Sequence, residues 1–302
     1  MRLWLQRALW ITLPVTAGPA LAAGLAAWSA APRAVGGALC WVGWAVGLLA
    51  TLAPRPIGVT ALRVVAPAGA AAVLATVASG RPSTLASAVG VAAALVAVVL
   101  ASDPAYARVA ANALAYGDER RFPLRVPPAL FAGPLPLARA LASAGIAGGP
   151  LLLAAGELPG GVVALVVGWP VAGLALLALH RLSRRWLVLV PAGVVIVDPM
   201  ALVDNVLFPR EHVTLLRALA VDEAPGAALD LRFGATLGSL LLEFDEPAEL
   251  VRAARPRRGA VTVTAPRLVV AVAFRADVLT GAARRRVRVQ VTDPGTAARR
   301  SS

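Results

Sequence analysis

A dense group of charged residues occupies the middle of the chain. Asp118, Glu119, Arg120 and Arg121 are consecutive, and Arg125 follows four residues later. Guanidinium groups pair readily with phosphates and carboxylates, so this group could bind anionic lipid headgroups or dock a protein partner. Arginines beside membrane spans also arise from topology alone, so a positive-inside signal with a local ion pair is the plainer alternative.

Arg63 is a charged residue inside a long apolar segment. A charge within a membrane span is a functional hypothesis by default, so Arg63 is a candidate intramembrane polar site. Arg55 lies about two helical turns earlier, and a long arginine side chain can extend to the membrane surface. Snorkelling towards that surface is therefore the alternative explanation for Arg63.

Enzyme chemistry has little support in the sequence. The nearest approach to a polar constellation is the group Asp198, Asp204, Glu211 and His212. The sequence contains no metalloprotease, serine-hydrolase or lysine-containing phosphate-loop motif, and its one cysteine, Cys40, lies in an apolar segment. We therefore predict no catalytic residue, no metal site and no cofactor, and we expect a non-enzymatic protein.

The composition indicates a membrane protein. Hydrophobic residues make up 59% of the 302 residues, and their excess lies before residue 181. The net charge is +13, and all 29 basic residues are arginine. The C-terminal arginine clusters, at 252–258 and 284–288, contain no interleaved aromatic residues of the kind that nucleic-acid binding uses. We therefore expect anionic inner-leaflet lipids, and not nucleic acid, as the partner.

Six apolar segments are long enough to cross a hydrocarbon layer about 30 Å thick. They cover residues 8–30, 34–52, 57–78, 84–102, 138–157 and 161–181. The first segment is predicted to be an uncleaved helix, since its apolar part is too long for a signal peptide. Arginines accumulate in the terminal segments and in alternate loops, which predicts a plasma-membrane protein with both termini in the cytoplasm. Glycines at positions 43 and 47, and at 145 and 149, have the spacing of closely packed helices.

Residues 102–138, between the fourth and fifth spans, form the predicted main cytoplasmic loop. Asp103-Pro104 is a good helix start, because aspartate caps free amides and proline is tolerated at the first helical position. Gly117 predicts the end of that helix. Prolines at positions 123, 127 and 128 favour an extended path for the chain that follows.

From residue 181 the pattern changes to short β-rich segments separated by turns, which predicts an α+β domain over residues 181–290. Trp186–Val190 and Val194–Val197 are joined by Pro-Ala-Gly and predict a hairpin. Further strands are predicted at 202–208, 213–220, 228–233, 239–244, 261–264 and 268–274, with helices at Glu246–Arg255 and Ala276–Arg285. The polar tail, residues 291–302, is predicted to be disordered.

The stretch Arg184-Arg185-Trp186-Leu-Val-Leu-Val-Pro-Ala-Gly193, followed by Phe208-Pro209-Arg210, resembles the opening of bacterial PH-like domains. Those domains follow a membrane hairpin and begin with a basic-aromatic strand, a turn glycine and a second strand. The resemblance implies a curved, mostly antiparallel sheet capped by a helix and used for binding and assembly. Arg210 stands where the family often has tryptophan. The whole layout resembles uncharacterised integral membrane proteins of actinobacteria, a resemblance that implies no further function.

The favoured hypothesis is a six-span helical membrane protein whose cytoplasmic PH-like domain packs against the 102–138 loop and acts in binding or scaffolding at the inner leaflet. Its expected partners are the bilayer, anionic inner-leaflet lipids and a protein of unknown identity. A small-solute channel or transporter with a cavity near Arg63 is the alternative, and a membrane enzyme using Asp204 and His212 is a further one. Neither the ligand nor the oligomeric state follows from the sequence.

Overall fold

The chain folds into two compact units. A computed structural model describes residues 2–253 and 260–290. The first unit, here the helical unit, contains Met1–Ala110 and Gly133–Ser183, and the second, here the sheet unit, contains Ala111–Ala132 and the chain from Arg184 onward. The sheet unit therefore includes part of the predicted loop. The tail predicted to be disordered, residues 291–302, lies outside the described residues.

Six helical segments of the helical unit are long and apolar enough to cross a membrane, as predicted. The first is formed by α1 (Arg2–Thr16) and α2 (Gly18–Leu25). The others are α3 (Ala30–Leu52), α4 (Pro56–Ala78), α5 (Thr84–Ser102), α7 (Pro134–Ala154) and α8 (Leu158–Ser183). The fifth span begins four residues before its predicted start, because Pro134 and Pro136 lie in the first turn, where proline costs no hydrogen bond.

Small residues let these helices approach closely. Gly47 of α3 lies against the indole of Trp10 on α1, so no side chain could occupy that position. Trp10 and Trp44 then donate from their indole nitrogens to each other's backbone carbonyls, at 2.7 and 2.8 Å. On α7, Gly145 meets Gly168 of α8, and Gly149 meets Leu165. The predicted packing role is confirmed for the glycines at 47, 145 and 149, whereas the glycine at 43 faces open space.

The loop after α5 starts with the predicted helix. This helix, α6, covers Pro104–Asn112, and the Asp103 carboxylate accepts from the amide of Ala105 at 2.7 Å. The helix ends five residues before the predicted stop at Gly117. Asn112 makes two hydrogen bonds with the backbone of Arg121 (2.7 and 3.0 Å), and these bonds hold the following turn. Gly117 lies in that turn with φ of +57°.

The first sheet of the sheet unit has four antiparallel strands in chain order: β1 (Arg120–Pro123), β2 (Trp186–Val190), β3 (Gly193–Val197) and β4 (Val206–Pro209). The β2–β3 hairpin was predicted and is confirmed. β1 comes from the loop and pairs along its full length with β2, with Arg121 opposite Val188. The predicted contact between loop and domain is thus made by strand addition.

The second sheet has the strand order β6-β8-β7-β5-β9. Its strands are β5 (Val213–Ala218), β6 (Leu229–Asp230), β7 (Ser239–Arg252), β8 (Val261–Ala271) and β9 (Val289–Gln290). The β5–β7 and β7–β8 pairs are antiparallel, and the short β5–β9 and β6–β8 pairs are parallel.

The prediction of a helix over Glu246–Arg255 is wrong for residues 246–252, because β7 continues through them. Arg255 lies outside the described residues. Leu250 pairs opposite Val263 and is 1% exposed, so strand pairing buries a residue that an isolated helix would leave partly in water. The pairing is irregular between Glu243 and Ala248. Pro266 of β8 lies at this irregularity, where a missing amide donor costs no ladder bond.

Both sheets and helix α9 (Arg275–Arg284), which was predicted, share one apolar core. Leu189 and Ile196 come from the first sheet, Leu242 from the second and Val278 from α9, and each is fully buried. The sheet unit is therefore a two-sheet α+β fold with a C-terminal helix against its core.

A buried ion pair joins four segments of the sheet unit. Arg185 donates from Nε (2.8 Å) and Nη2 (2.7 Å) to the two carboxylate oxygens of Asp198. It also donates to the carbonyls of Arg125 (2.9 Å) and Leu231 (3.3 Å), and its guanidinium lies over the ring of Phe233. Because the side chains of Arg185 and Asp198 are 2% and 0% exposed, their hydrogen bonds must replace those lost from water.

Candidate anion-binding site

The sheet unit contains a cavity of about 320 Å³ in which positive charge predominates. It is lined by four arginines, one aspartate and one proline: Arg210, Arg284, Arg285, Arg286, Asp118 and Pro191. The guanidinium group presents five donors in a planar fork, so several converging arginines are suited to phosphate or carboxylate oxygens. We call this cavity the arginine pocket.

The pocket lies where three turns meet the end of a helix. Asp118 belongs to the turn before β1, Pro191 to the β2–β3 turn and Arg210 to the residues after β4. The amide of Arg210 donates to the carbonyl of Ala192 at 2.8 Å. A Cβ at Gly193 would collide with the carbonyl of Phe208 and the amide of Arg210. Only glycine at position 193 therefore lets these turns approach closely enough to bring Arg210 to the pocket.

The end of α9 places three consecutive arginines at the pocket. The helix closes with a Schellman pair of hydrogen bonds, from Val287 N to Ala282 O (3.1 Å) and from Arg286 N to Ala283 O (3.0 Å). Arg286 occupies the left-handed position of this motif, with φ of +61°, where glycine is the usual residue. A non-glycine residue there costs about 1–2 kcal/mol, so Arg286 carries a backbone penalty at this position.

Arg285 connects α9 to the turn before β1. Its Nη1 donates to the carbonyl of Gly281 at 3.2 Å, and its Nη2 donates to the carbonyl of Asp118. Its Nε is buried and has no hydrogen-bond partner within residues 2–253 and 260–290. This leaves a buried donor available to an anion at the pocket, since an unsatisfied buried N–H is unfavourable.

The other three arginine side chains of the pocket are exposed, and no described carboxylate is paired with them. The side chains of Arg210, Arg284 and Arg286 form no ion pair or hydrogen bond with another described residue. Asp118, with an exposed side chain, supplies the one carboxylate of the lining. Four positive charges against one negative charge give the pocket a field that favours a multiply charged anion.

Of the charged residues singled out in the loop, Asp118 lines the pocket and the others do not. Glu119 and Arg121 pair with each other, with Arg121 Nε 2.7 Å from Glu119 Oε1. The hydrogen bond from Arg121 lowers the pKa of the Glu119 carboxyl below its ordinary value. The Arg121 guanidinium also lies 5.1 Å from the ring centre of Trp186. Arg120 is exposed and donates to the carbonyl of Glu119.

Arg125 joins separate segments of the sheet unit through its backbone. Its amide donates to the carbonyl of Ala271 at 2.8 Å, and its carbonyl accepts from Arg185. The first bond fastens the chain after β1 to β8 of the second sheet, and the other links it to the residue before β2. Because successive residues of a strand point to opposite faces, Arg120 and Arg121 lie on opposite faces of β1.

The polar group considered for catalysis is not assembled as a site. Asp198 is held in the buried ion pair with Arg185. His212 pairs instead with Asp245, at 3.1 Å from Nδ1 to the carboxylate, on an exposed part of the sheet unit. The hydrogen bond and charge of Asp245 raise the pKa of the His212 imidazole. Asp204 lies in an exposed turn, and the structure gives it no contact with His212.

Arg63, the candidate intramembrane residue, is half-buried on α4 of the helical unit. Arg139 of α7 is near enough to act on it electrostatically. No carboxylate among the described residues is paired with either arginine. Comparison of the chain with family models, with curated proteins and with solved structures gives no match.

Proposed function

We propose that this protein is a multi-pass plasma-membrane protein that presents its sheet unit, a PH-like binding module, to phosphate-bearing headgroups at the cytoplasmic leaflet. The observation that carries the proposal is the arginine pocket, a cavity lined by four arginines and one aspartate. Arginine distribution among the predicted loops supports a cytoplasmic position for both termini and for the sheet unit.

The fold of the sheet unit agrees with a binding module. Two sheets and a C-terminal helix enclose a well-buried apolar core, and the pocket lies on turns at the edge of this core. Turns held by a rigid scaffold are where binding residues commonly occur. The resemblance of the residues from Arg184 to Arg210 to PH-like domains favours the same interpretation.

Charge and surroundings favour a phosphate-bearing headgroup over nucleic acid. No aromatic side chain lines the pocket, so bases would find no stacking surface there. Each arginine close to an anionic leaflet contributes roughly 1 kcal/mol to membrane association. Covalent attachment of the sheet unit to the helical unit raises the effective concentration of headgroups for it.

Glycerol phosphate is a soluble probe of this chemistry. Full-length protein in phosphatidylcholine nanodiscs should bind it, as measured by isothermal titration calorimetry, and binding should weaken as salt is raised. Replacing Arg284 and Arg286 together by glutamine should weaken binding at least tenfold, since each charge-assisted bond contributes about 1.5 kcal/mol.

Arg120→Gln is the matched control for the same titration, because it removes an exposed arginine of the same unit outside the pocket. Its affinity should stay within about twofold of the wild type. Undiminished binding by the double variant, or equal losses in the control, would show that the pocket is not the binding site.

A further inference from the structure

A second group of cationic and polar side chains lies in the helical unit, where α4 and α7 begin and α8 ends. α4 contributes Thr60 and Arg63, α7 contributes Arg139, and α8 contributes His180 and Ser183. The arginine distribution predicts that these helix ends face the cytoplasm. We call this group the helix-end cluster.

Hydrogen bonds hold α4 and α8 together in the cluster. The hydroxyl of Thr60, 5% exposed, lies 3.1 Å from His180 Nδ1 and 3.3 Å from Ser183 Oγ. Arg63 follows Thr60 by three residues, which places it on the same face of α4, one turn further along. The hydrogen bonds between α4 and α8 therefore fix the position of Arg63 along the axis of α8.

Arg139 of α7 lies at nearly the same position along the helix axes as Arg63. Gly145 meets Gly168 and Gly149 meets Leu165, and continuing this antiparallel register puts Arg139 level with Leu174 and Ala175, about one and a half turns before His180. At 1.5 Å per residue, Arg63 and Arg139 lie within about one helical turn of each other along the helix axes. They are also close enough for their charges to repel.

Within the described part of the helical unit, no carboxylate forms an ion pair with Arg63 or Arg139. The unit contains nine arginines and two acidic residues, Asp103 at the end of α5 and Glu157 before α8. Glu157 lies at the opposite end of α7 and α8 from Arg139. Arg139 Nε is buried and has no hydrogen-bond partner within the described part of the chain. Two adjacent cations with a buried free donor would be stabilised by an anion.

We propose that the helix-end cluster binds the phosphate of one anionic phospholipid between α4, α7 and α8. Arg63 and Arg139 would contact the phosphate oxygens, and Thr60, through its bonds to His180 and Ser183, fixes the α4–α8 spacing. Apolar side chains exposed next to the cluster, Ile57, Leu141 and Leu177, offer surface to acyl chains. This surface favours a lipid over free phosphate, although both present the same oxygens. The site is separate from the arginine pocket, so either can fail without the other.

Native mass spectrometry of the full-length protein, delipidated in detergent, tests this proposal. The protein is titrated separately with phosphatidylglycerol, phosphatidylcholine and inorganic phosphate. The wild type should retain one equivalent of phosphatidylglycerol at activation energies that remove phosphatidylcholine. Arg63→Gln/Arg139→Gln should lower that occupancy at least fivefold. Arg33→Gln/Arg81→Gln should leave it unchanged, because these two exposed arginines, near the start of α3 and in the turn before α5, are predicted to lie on the other side of the membrane.

The titration with inorganic phosphate distinguishes a lipid from free phosphate as the bound anion. Displacement of phosphatidylglycerol by millimolar inorganic phosphate would overturn the assignment to lipid, and no displacement supports it. Equal retention of both phospholipids, or equal phosphatidylglycerol retention by the site variant and the control variant, would overturn the cluster as an anion site.

Thermal stability in detergent gives a second measurement that does not depend on lipid counting. Without lipid, Arg63→Gln/Arg139→Gln should melt above the wild type, because the repulsion between the two cations is removed. Added phosphatidylglycerol should raise the melting temperature of the wild type and of the control, but not that of the site variant. Should the double variant fail to fold, Arg139→Gln alone must abolish at least half of the lipid-dependent shift, or the proposal is wrong.

Discussion

Replacing Arg286 by glycine should stabilise the sheet unit and weaken its anion binding at the same time. Arg286 has φ of +61° at the left-handed position of the Schellman motif that closes α9. Relief of the backbone strain should contribute about 1–2 kcal/mol. The greater freedom of glycine in the unfolded chain offsets about 0.5–1 kcal/mol of this. The expected net gain is about 0.5–1 kcal/mol, whereas most substitutions at a binding pocket are expected to destabilise or to be neutral.

Hydrogen exchange of the full-length protein in phosphatidylcholine nanodiscs measures this gain within the sheet unit alone. Deeply buried strand residues such as Leu242 and Val270 exchange through opening of the whole unit. Their exchange should slow by about two- to fivefold in Arg286→Gly. Glycerol phosphate affinity should fall by about tenfold, since one charge-assisted bond of about 1.5 kcal/mol is lost.

Arg286→Ala separates the two effects. It removes the same guanidinium but keeps a Cβ in the left-handed conformation, so affinity should fall without any gain in stability. Faster exchange in Arg286→Gly than in the wild type would refute the strain argument. Slower exchange with undiminished affinity would instead remove Arg286 from the binding site.

Three further predictions concern the sheet unit. Asp198→Asn leaves the Arg185 guanidinium buried without its counter-charge and should destabilise the unit by about 3–5 kcal/mol, seen as much faster exchange of the β2 amides. Gly193→Ala should displace Arg210 and lower both protection and glycerol phosphate affinity, because the new Cβ meets the Phe208 carbonyl. His212 has a raised pKa, so its pairing with Asp245 stabilises the fold below the ordinary imidazole pKa and is lost as pH rises through the folded value. In an NMR titration, Asp245→Asn should move the His212 pKa back down, and an unmoved value would exclude Asp245 as the cause.

The helices were predictable because each span requires only a continuous apolar run, which can be recognised in the local sequence. The ends of the helices were harder to predict. Proline is tolerated in the first turn of a helix but breaks its interior, so Pro134 could not be recognised as a helix start from the sequence alone. Glu246–Arg255 shows the limit of local reasoning. Its Glu-Pro-Ala-Glu-Leu-Val-Arg sequence suits a helix start, yet pairing of β7 with β8 buries Leu250 and overrides that preference.

The candidate site was harder to predict because its members come from distant turns. Arg284, Arg285 and Arg286 form a visible cluster, but their approach to Arg210 and Asp118 depends on the sheet topology. Arg120 and Arg121 are adjacent in sequence, but successive residues of a strand point to opposite faces. Arg121 pairs with the Glu119 side chain, whereas Arg120 donates to the Glu119 carbonyl. A useful signal would have been Arg286 itself, a basic residue where a helix end calls for glycine.

Strand β1 has a consequence for how the protein is made. About sixty residues, including all of α7 and α8, are translated between β1 and its partner β2. At roughly 5–20 residues per second, the ribosome needs several seconds for this interval. During that time Arg120–Pro123 has no strand to pair with, while the last two helices must already enter the bilayer. Nascent chains arrested before Trp186 should therefore expose this segment to protease, and chains released after α9 should protect it.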